Sequence, residues 1–279
     1  MRLSVITRTY RRPLLLKRAA ASVTSARVDD LEWLIVDDAE EIDAETQAIA
    51  ADATAQGVQV RLLAGKRGGR TAAANLGLRE ATGTYFHLHD DDDTVEPGFY
   101  RSTLDFLMRE PRYRAVRAMC WRVQETLENG TMKTGRRRRV YPERRTVSLF
   151  DAAEVFAYPP IGSVFERQLL VEIGGFDETF DVGEDYDLLL RCLQKADMGT
   201  IGQCLATVHV RAQSTDSYAN SPIERRFAEE DMLFLNAMVR RDLESGRFGL
   251  GALLMLGRMS RRRRNLFDLL DTARKRIGL

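Results

Sequence analysis

The sequence predicts an α/β fold: a mostly parallel sheet flanked by helices, followed by a C-terminal helical extension. Three observations carry this expectation. Short β-rich runs alternate with helical segments through the N-terminal third, the pattern of βαβ units. Those runs are apolar on both faces, as strands covered by helices on both sides must be. From Ile223 onward the chain reads as helix rich in arginine.

The elements follow in order. Leu3–Thr7 is a β-rich run, and Arg12–Ser25 follows as a helix with Pro13 near its start, where a missing N–H costs nothing. Glu32–Val36 is a buried-type strand ending in Asp37-Asp38. Ile42–Ala55 is Ala-rich and helical, and Val58–Leu63 is a third strand. Gly68-Gly69 opens the helix Thr71–Ala81, and Gly83–Leu88 is a fourth strand. Beyond it, Pro97–Arg109 has helical spacing and Ala115–Val123 reads as a strand. Asn129-Gly130 is a hairpin signal, and Gly135–Arg145 is basic enough to be a solvated loop or an edge strand. Ser163–Phe165 resumes a strand, Arg167–Ile173 a short helix stopped by Gly174-Gly175, and Asp185–Lys195 a further helix.

Composition narrows the function. At 279 residues the chain is long enough to bury about 75 % of its unfolded surface, and its 44 % apolar content supplies the core. Disorder, a disulfide miniprotein and a collagenous chain are excluded. The 42 Lys+Arg against 41 Asp+Glu leave a formal charge of +1, unlike a chain that binds nucleic acid along its length. Three cysteines without CxxC spacing fit reduced, buried thiols. The apolar start is too short for a signal-peptide core. The stretch Phe248–Met259 is glycine-broken and too short to span a bilayer. The expectation is a cytoplasmic protein, at most peripheral on the inner face of the membrane.

In an open parallel sheet, ligands bind beyond the carboxyl ends of the strands at a topological switch point. Three polar clusters stand at such ends: Thr9-Tyr10, Asp37-Asp38 and His89-Asp90-Asp91-Asp92-Asp93. Four consecutive carboxylates repel one another unless a cation sits among them, and Mg²⁺ or Mn²⁺ prefers one or two carboxylates plus substrate phosphates. A solvated acidic turn capping the next helix is the plainer reading of the same run. Glu184-Asp185 likewise either supplies a general base or begins a helix that favours anions. Gly68-Gly69 at a helix start lets backbone N–H groups approach phosphate.

Read together, Ser4–Tyr10, Leu34–Asp38, Gly83–Asp93, Gly174–Glu178 and Gly183–Arg191 resemble the successive signatures of family 2 glycosyltransferases with the GT-A fold. The resemblance covers about residues 2–211. It implies an inverting transferase that takes a sugar from a nucleotide-diphospho donor. Tyr10, next to Thr9, matches the tyrosine that packs on the nucleotide base, and Asp38 the carboxylate that accepts from the base N–H. UDP or dTDP is the expected nucleotide. Asp90 or Asp91 matches the ribose contact, with Arg70 adding charge near the phosphates. Asp92 matches the metal ligand and His209 a histidine that completes the site around Mn²⁺ or Mg²⁺. Asp185 matches the catalytic base, and Arg211 stands as a phosphate clamp. His87 reads as structural, and Asn75 as fixing the turn behind the site. Four departures lie near the nucleotide end: Arg8 replaces the family's Pro, Arg11 its Asn, Ala39-Glu40 its Gly-Ser, and Ala74 the Arg of its Arg-Asn pair.

The expected division is a catalytic domain over 1–215, with a nucleotide-binding half 1–95 and an acceptor half 96–215, and a helical extension over 216–279. From Arg258 to Leu279 there are eight basic residues and two acidic, a local excess of six. Such a tail suits anionic lipid or a packing face against this chain or a second copy. Arg136–Arg139 with Arg144-Arg145 suits an anionic acceptor. The acceptor is expected to be a glycan, lipid-linked or anionic molecule, and no nucleic acid is expected. Two alternatives remain: a silent GT-A-like scaffold acting through its arginines, and a sugar nucleotidyltransferase. The latter would carry a longer Gly-rich loop where Thr-Arg-Thr-Tyr stands.

Overall fold

The computed structural model describes residues 2–128, 131–140, 146–154, 159–180, 183–211, 224–246 and 248–259. The Asn129-Gly130 signal, Arg144-Arg145 and the basic tail beyond residue 259 lie outside them.

The chain begins β1 (Leu3–Thr9), α1 (Pro13–Ala26), β2 (Leu31–Asp37), α2 (Ala44–Ala55), β3 (Gln59–Ala64), α3 (Gly69–Glu80), β4 (Tyr85–Leu88). Every residue of β1 and β2 is buried. Within them the Trp33 indole donates to Thr7 at 2.8 Å. The carboxylate of buried Glu32 accepts from Ser4 and from the Thr82 N–H and hydroxyl. Pro13 stands in the first turn of α1, and Asp43 caps α2 by accepting from the Thr46 N–H at 2.7 Å.

The chain continues β5 (Thr94–Val95), α4 (Phe99–Arg109), β6 (Ala115–Glu128), β7 (Thr131–Val140), β8 (Thr146–Val147), α5 (Leu149–Glu154), a 3₁₀ turn at Pro160–Gly162, β9 (Ser163–Glu166), α6 (Arg167–Glu172), α7 (Glu184–Leu193), β10 (Met198–Val210) and α8 (Glu224–Ser245). The sheet runs β3-β2-β1-β4-β9-β6-β10-β5, with β7 on β6 and β8 on β10. β3, β2, β1 and β4 are mutually parallel. β9 is antiparallel to both neighbours, β4 and β6, and β6 and β10 are again parallel. Strand order reverses at β1, which has β2 on one side and β4 on the other, so the crevice opens beyond Thr9 and Leu88.

The basic run Arg136–Arg139 lies on β7, paired to β6 and exposed; of the two expectations for it, the edge strand is correct. β6 runs on to Glu128, past the predicted Val123. The long strand β10 went unread because its glycines and register shifts between Ile201 and Ala206 break the alternation. The stop at Gly174-Gly175 is as predicted: both have left-handed φ, 83° and 73°, and the Gly175 N–H donates to the Leu170 carbonyl at 2.9 Å.

The chain divides into two compact units, residues 1–147 with 158–223 and residues 148–157 with 224–279. In the second, Phe234, Met238 and Leu254 are buried. Asp242 on α8 accepts from the N–H groups of Gly249 and Ala252, at 3.1 and 2.7 Å, capping the helical residues 250–259. Among the described residues, no helix is long and apolar enough to cross a membrane.

Close packing of α3 on the sheet depends on Gly77, where a Cβ would lie 2.5 Å from Ile6. Gly77→Val is expected to cost about 1–3 kcal/mol by overpacking, read as a fall in urea midpoint at unchanged slope.

Candidate active site

The acidic run after β4 turns back into the sheet, burying Asp91 completely and Asp92 and Asp93 nearly so. The two histidines beside it do not supply the balancing charge. Burial lowers His87 to about 3 and His89 to about 4. His87 packs within hydrogen-bond reach of the Tyr100 hydroxyl and the Ile161 carbonyl, at 3.2 and 2.9 Å, the structural role expected of it.

Arginines supply it instead, each from a different place in the chain. Arg8, from β1, grips Asp90 with two bonds of 2.7 Å. Arg12, at the start of α1, forks onto Asp91 at 2.5 and 3.0 Å, and the Thr9 hydroxyl donates to the same carboxylate at 2.7 Å. Arg211, at the end of β10 and fully buried, donates to Asp92 at 2.9 Å. Arg18 donates to the Asp92 carbonyl at 2.6 Å and to Glu125 on β6 at 2.8 Å. Burial opposes the charge on Asp90, but Arg8 holds it down to about 2. Asp91 and Asp93 are pushed up, by burial first and by neighbouring carboxylates.

Glu125 is a hub that the sequence did not reveal. It pairs with Arg18, with Arg211 at 3.2 Å and with His209 Nδ1 at 2.7 Å. Burial works against its charge, but its bonds from His209 and Arg18 lower it to about 2. His209 Nε2 lies 2.9 Å from the Thr94 hydroxyl, and its backbone N–H donates to Asp93 at 3.0 Å. Asp92 and His209 are thus joined through Arg211 and Glu125. Arg211 is buried against these carboxylates, so the phosphate-clamp expectation gives way to a role in charge balance.

At the other strand ends, the Asp38 N–H donates to the Thr9 carbonyl at 2.9 Å, and its carboxylate accepts from the Gly69 N–H at 3.0 Å. Tyr10 is 39 % exposed, with the Arg11 guanidinium 5.3 Å from its ring centre. Arg11 has a left-handed φ of 52°, strained for a residue with a Cβ.

Asp185 sits in the first turn of α7, after Gly183 in the left-handed region. It is half-buried and borders a small cavity with Phe86, Leu88, Phe176 and Leu188. Burial and the adjacent Glu184 charge push it up to about 7, against the opposing pull of Arg70 and Arg8. Glu184 is fully buried and pairs with Arg70 at 2.8 Å and with Arg8 at 3.1 Å. Asn75 fixes the preceding loop, donating to the Phe176 carbonyl at 2.9 Å and accepting from its N–H at 2.9 Å.

The family model described as glycosyl transferase family 2 matches residues 4–174, the span that holds the acidic run, Tyr10, Asp38 and Arg70. The chain belongs to glycosyl transferase family 2. It is 26 % identical over 228 residues to the uncharacterized glycosyltransferase YwdF of Bacillus subtilis (strain 168), covering 78 % of this chain and 77 % of that one. Among solved structures it is similar to S. aureus TarS 1–349 in complex with UDP-GlcNAc, with a TM-score of 0.64 and 18 % identity over 84 % of this chain and 66 % of that one. It is also similar to the mannosyltransferase PcManGT from Pyrobaculum calidifontis in complex with GDP-Man and Mn²⁺, with a TM-score of 0.57 and 19 % identity over 76 % of this chain and 58 % of that one. The chain spans less than two thirds of those two solved chains.

In this glycosyltransferase with the GT-A fold, the arginine-carboxylate network joins β1, α1, β6 and the end of β10 to the acidic turn. Glu125→Gln should leave Arg18 and Arg211 undercompensated at a cost of about 3–5 kcal/mol, the usual result of removing one member of a buried pair. Chemical denaturation of the folded variant checks this.

Proposed function

We propose that this family 2 enzyme is an inverting glycosyltransferase that moves a sugar from a nucleotide-diphospho donor to an acceptor hydroxyl, with Asp185 as general base. The observation that carries the reading is the link between Asp185 and the nucleotide end. Its neighbour Glu184 is ion-paired to Arg8 and Arg70, and Arg8 in turn holds Asp90. A base that belongs to α7 is thereby held beside the strand ends where a donor would lie.

The chemistry follows from what an acceptor hydroxyl needs. A neutral alcohol is a poor nucleophile until a positioned carboxylate takes its proton in the transition state. Asp185 takes that proton as the oxygen attacks the anomeric carbon. The bond from that carbon to the diphosphate breaks, and the nucleoside diphosphate leaves with inversion. With its value raised to about 7, Asp185 is a stronger base than an exposed aspartate and still ionises near neutrality.

Tyr10 offers an exposed aromatic face to a base, and Asp38 a carboxylate to its ring N–H, which suits UDP or dTDP. Thr9, Asp90 and Asp91 lie at the ribose end, and Arg70 faces the phosphates. TarS with UDP-GlcNAc and PcManGT with GDP-Man and Mn²⁺ support a nucleotide-sugar donor as the class.

Among the described residues, no group of three or more His, Cys, Asp and Glu is arranged to hold a metal by itself. A hard divalent ion needs less, because substrate phosphates and water complete its shell. Asp92, 8 % exposed in the acidic turn, supplies hard carboxylate oxygens of the kind such an ion takes. Asp92 and His209 are the residues to hold Mn²⁺ or Mg²⁺, which when bound supplies positive charge to the diphosphate leaving group. The acceptor is a glycan, glycolipid or secondary metabolite, met in the cytoplasm or at the inner face of the membrane.

A thermal-shift panel of UDP-, dTDP- and GDP-sugars, with Mn²⁺ or with EDTA, tests the donor class. A donor at 100 times its Kd stabilises the fold by about 2.7 kcal/mol; no shift with any nucleotide sugar would overturn the reading. Asp185→Asn should keep donor binding by calorimetry and lose about 100- to 10,000-fold in kcat. In the parent enzyme kcat should rise with pH through about 7, as Asp185 loses its proton.

A further inference from the structure

The residue in the family's Pro position, Arg8, makes more connections than any catalytic assignment has used. It is 5 % exposed at the carboxyl end of β1. It gives a two-bond fork to Asp90, a bond of 3.2 Å to the Arg70 carbonyl at the start of α3, and a bond of 3.1 Å to Glu184 at the start of α7. One guanidinium thus joins β1, the acidic turn, α3 and α7. Proline could make none of these side-chain contacts, and lysine could not reproduce the fork, because its ammonium is a point charge on a flexible stem.

We propose that Arg8 is a positioning residue for catalysis, holding the first turn of α7, and with it Asp185, in register with the nucleotide end of the crevice. This deepens the proposed function and rests on Asp185 being the base.

The geometry makes Arg8 the connector. Glu184 is fully buried, and its Oε2 has no hydrogen-bond partner among the described residues, so its place there depends on the bonds that Oε1 receives from Arg8 and Arg70. Arg70 is half-exposed and less fixed, whereas Arg8 is anchored at its far edge by Asp90. A base displaced by about 1 Å can lose on the order of 100-fold in rate, so a rigid tether at this point matters to turnover.

The same placement sets the charge around the base. The charged groups facing Asp185 are Glu184 on its own helix, Arg70 from α3 and Arg8 from β1, and the cavity beside it is lined by apolar Phe86 and Phe176. Burial and Glu184 favour the protonated acid, while the two arginines favour the carboxylate. Removing Arg8 therefore makes Asp185 harder to ionise, and the rise of kcat with pH moves to higher pH. Removing the charge of Glu184 moves it the other way.

The test is the pH profile of kcat, with donor KM, for Arg8→Gln, Arg8→Lys, Glu184→Gln and Asp185→Asn. The donor is the nucleotide sugar that stabilises the parent, and folding is checked by circular dichroism and urea midpoint. Arg8→Gln should move the acid limb up by about one pH unit or more, and Glu184→Gln should move it down by a similar amount. Arg8→Lys should keep the limb, because the charge stays, and lose about tenfold or more in plateau kcat, because the fork is gone. A merely structural residue would lower activity at every pH without moving the limb. An unmoved limb in folded Arg8→Gln overturns the proposal, as does full kcat in Arg8→Lys. A rise in donor KM alone, which would confine Arg8 to the ribose end, also overturns it. If Arg8→Gln does not fold, the opposite-signed limb of Glu184→Gln and the kcat of Arg8→Lys decide. An Asp185→Asn enzyme with parental kcat would instead remove the base assignment itself, an outcome distinct from all of these.

Discussion

Four consecutive carboxylates folded into the interior of a sheet protein must be matched by positive charge, and the architecture of this active site follows from how that is done. Two buried histidines next to the run are held neutral, so they contribute nothing. Guanidinium groups from β1, α1 and the end of β10 converge instead, one fork or bond to each of Asp90, Asp91 and Asp92. Buried ion pairs of this kind are not strong sources of net stability, since taking both charges out of water costs nearly what their attraction returns. What they do well is specify geometry, because a misplaced partner leaves an uncompensated charge.

That specification runs in two directions from the acidic turn. Through Arg211 and Glu125 it reaches His209, and so ties β6 and β10 to Asp92. Through Arg8 it reaches Glu184, and so ties α7 to β1. The strand ends of β1 and β4 and the helix that carries Asp185 are then parts of one polar scaffold rather than two surfaces facing each other. Glu125 completes the scaffold by accepting from two arginines and pairing with a histidine, a load that only a buried carboxylate with both oxygens occupied can carry.

One departure from the family's usual motifs, Arg8, falls on this scaffold. Arg8 fills a proline position with the residue that ties the acidic turn to Glu184. Arg11 takes an asparagine position whose backbone is left-handed here; asparagine tolerates that conformation better. Asn75, which keeps its family identity, clamps the Gly174-Gly175-Phe176 loop by donor and acceptor alike, and a Cβ on Gly175 would come within 2.7 Å of its side-chain oxygen. The stretch Gly174–Phe176 therefore has little freedom to shift.

By itself the sequence determined the α/β class, the order of the first four strands and the helices between them, and the clusters at the strand ends. Those depend on local periodicity, glycine and proline placement, and a motif order spread over three-quarters of the chain. It also singled out Asp90–Asp93, Asp185 and His209 as residue types suited to the chemistry. Only the tertiary structure decided which charges meet. Arg12, Arg18 and Glu125 are ordinary charged residues in the sequence, and Arg8 lies 176 positions from its partner Glu184. Nothing local marks Arg8, Glu125 and Arg211 as buried. The antiparallel insertion of β9 and the irregular β10 escaped the pattern for the same reason: pairing across a sheet is a long-range choice, settled by what must be covered and what must be neutralised.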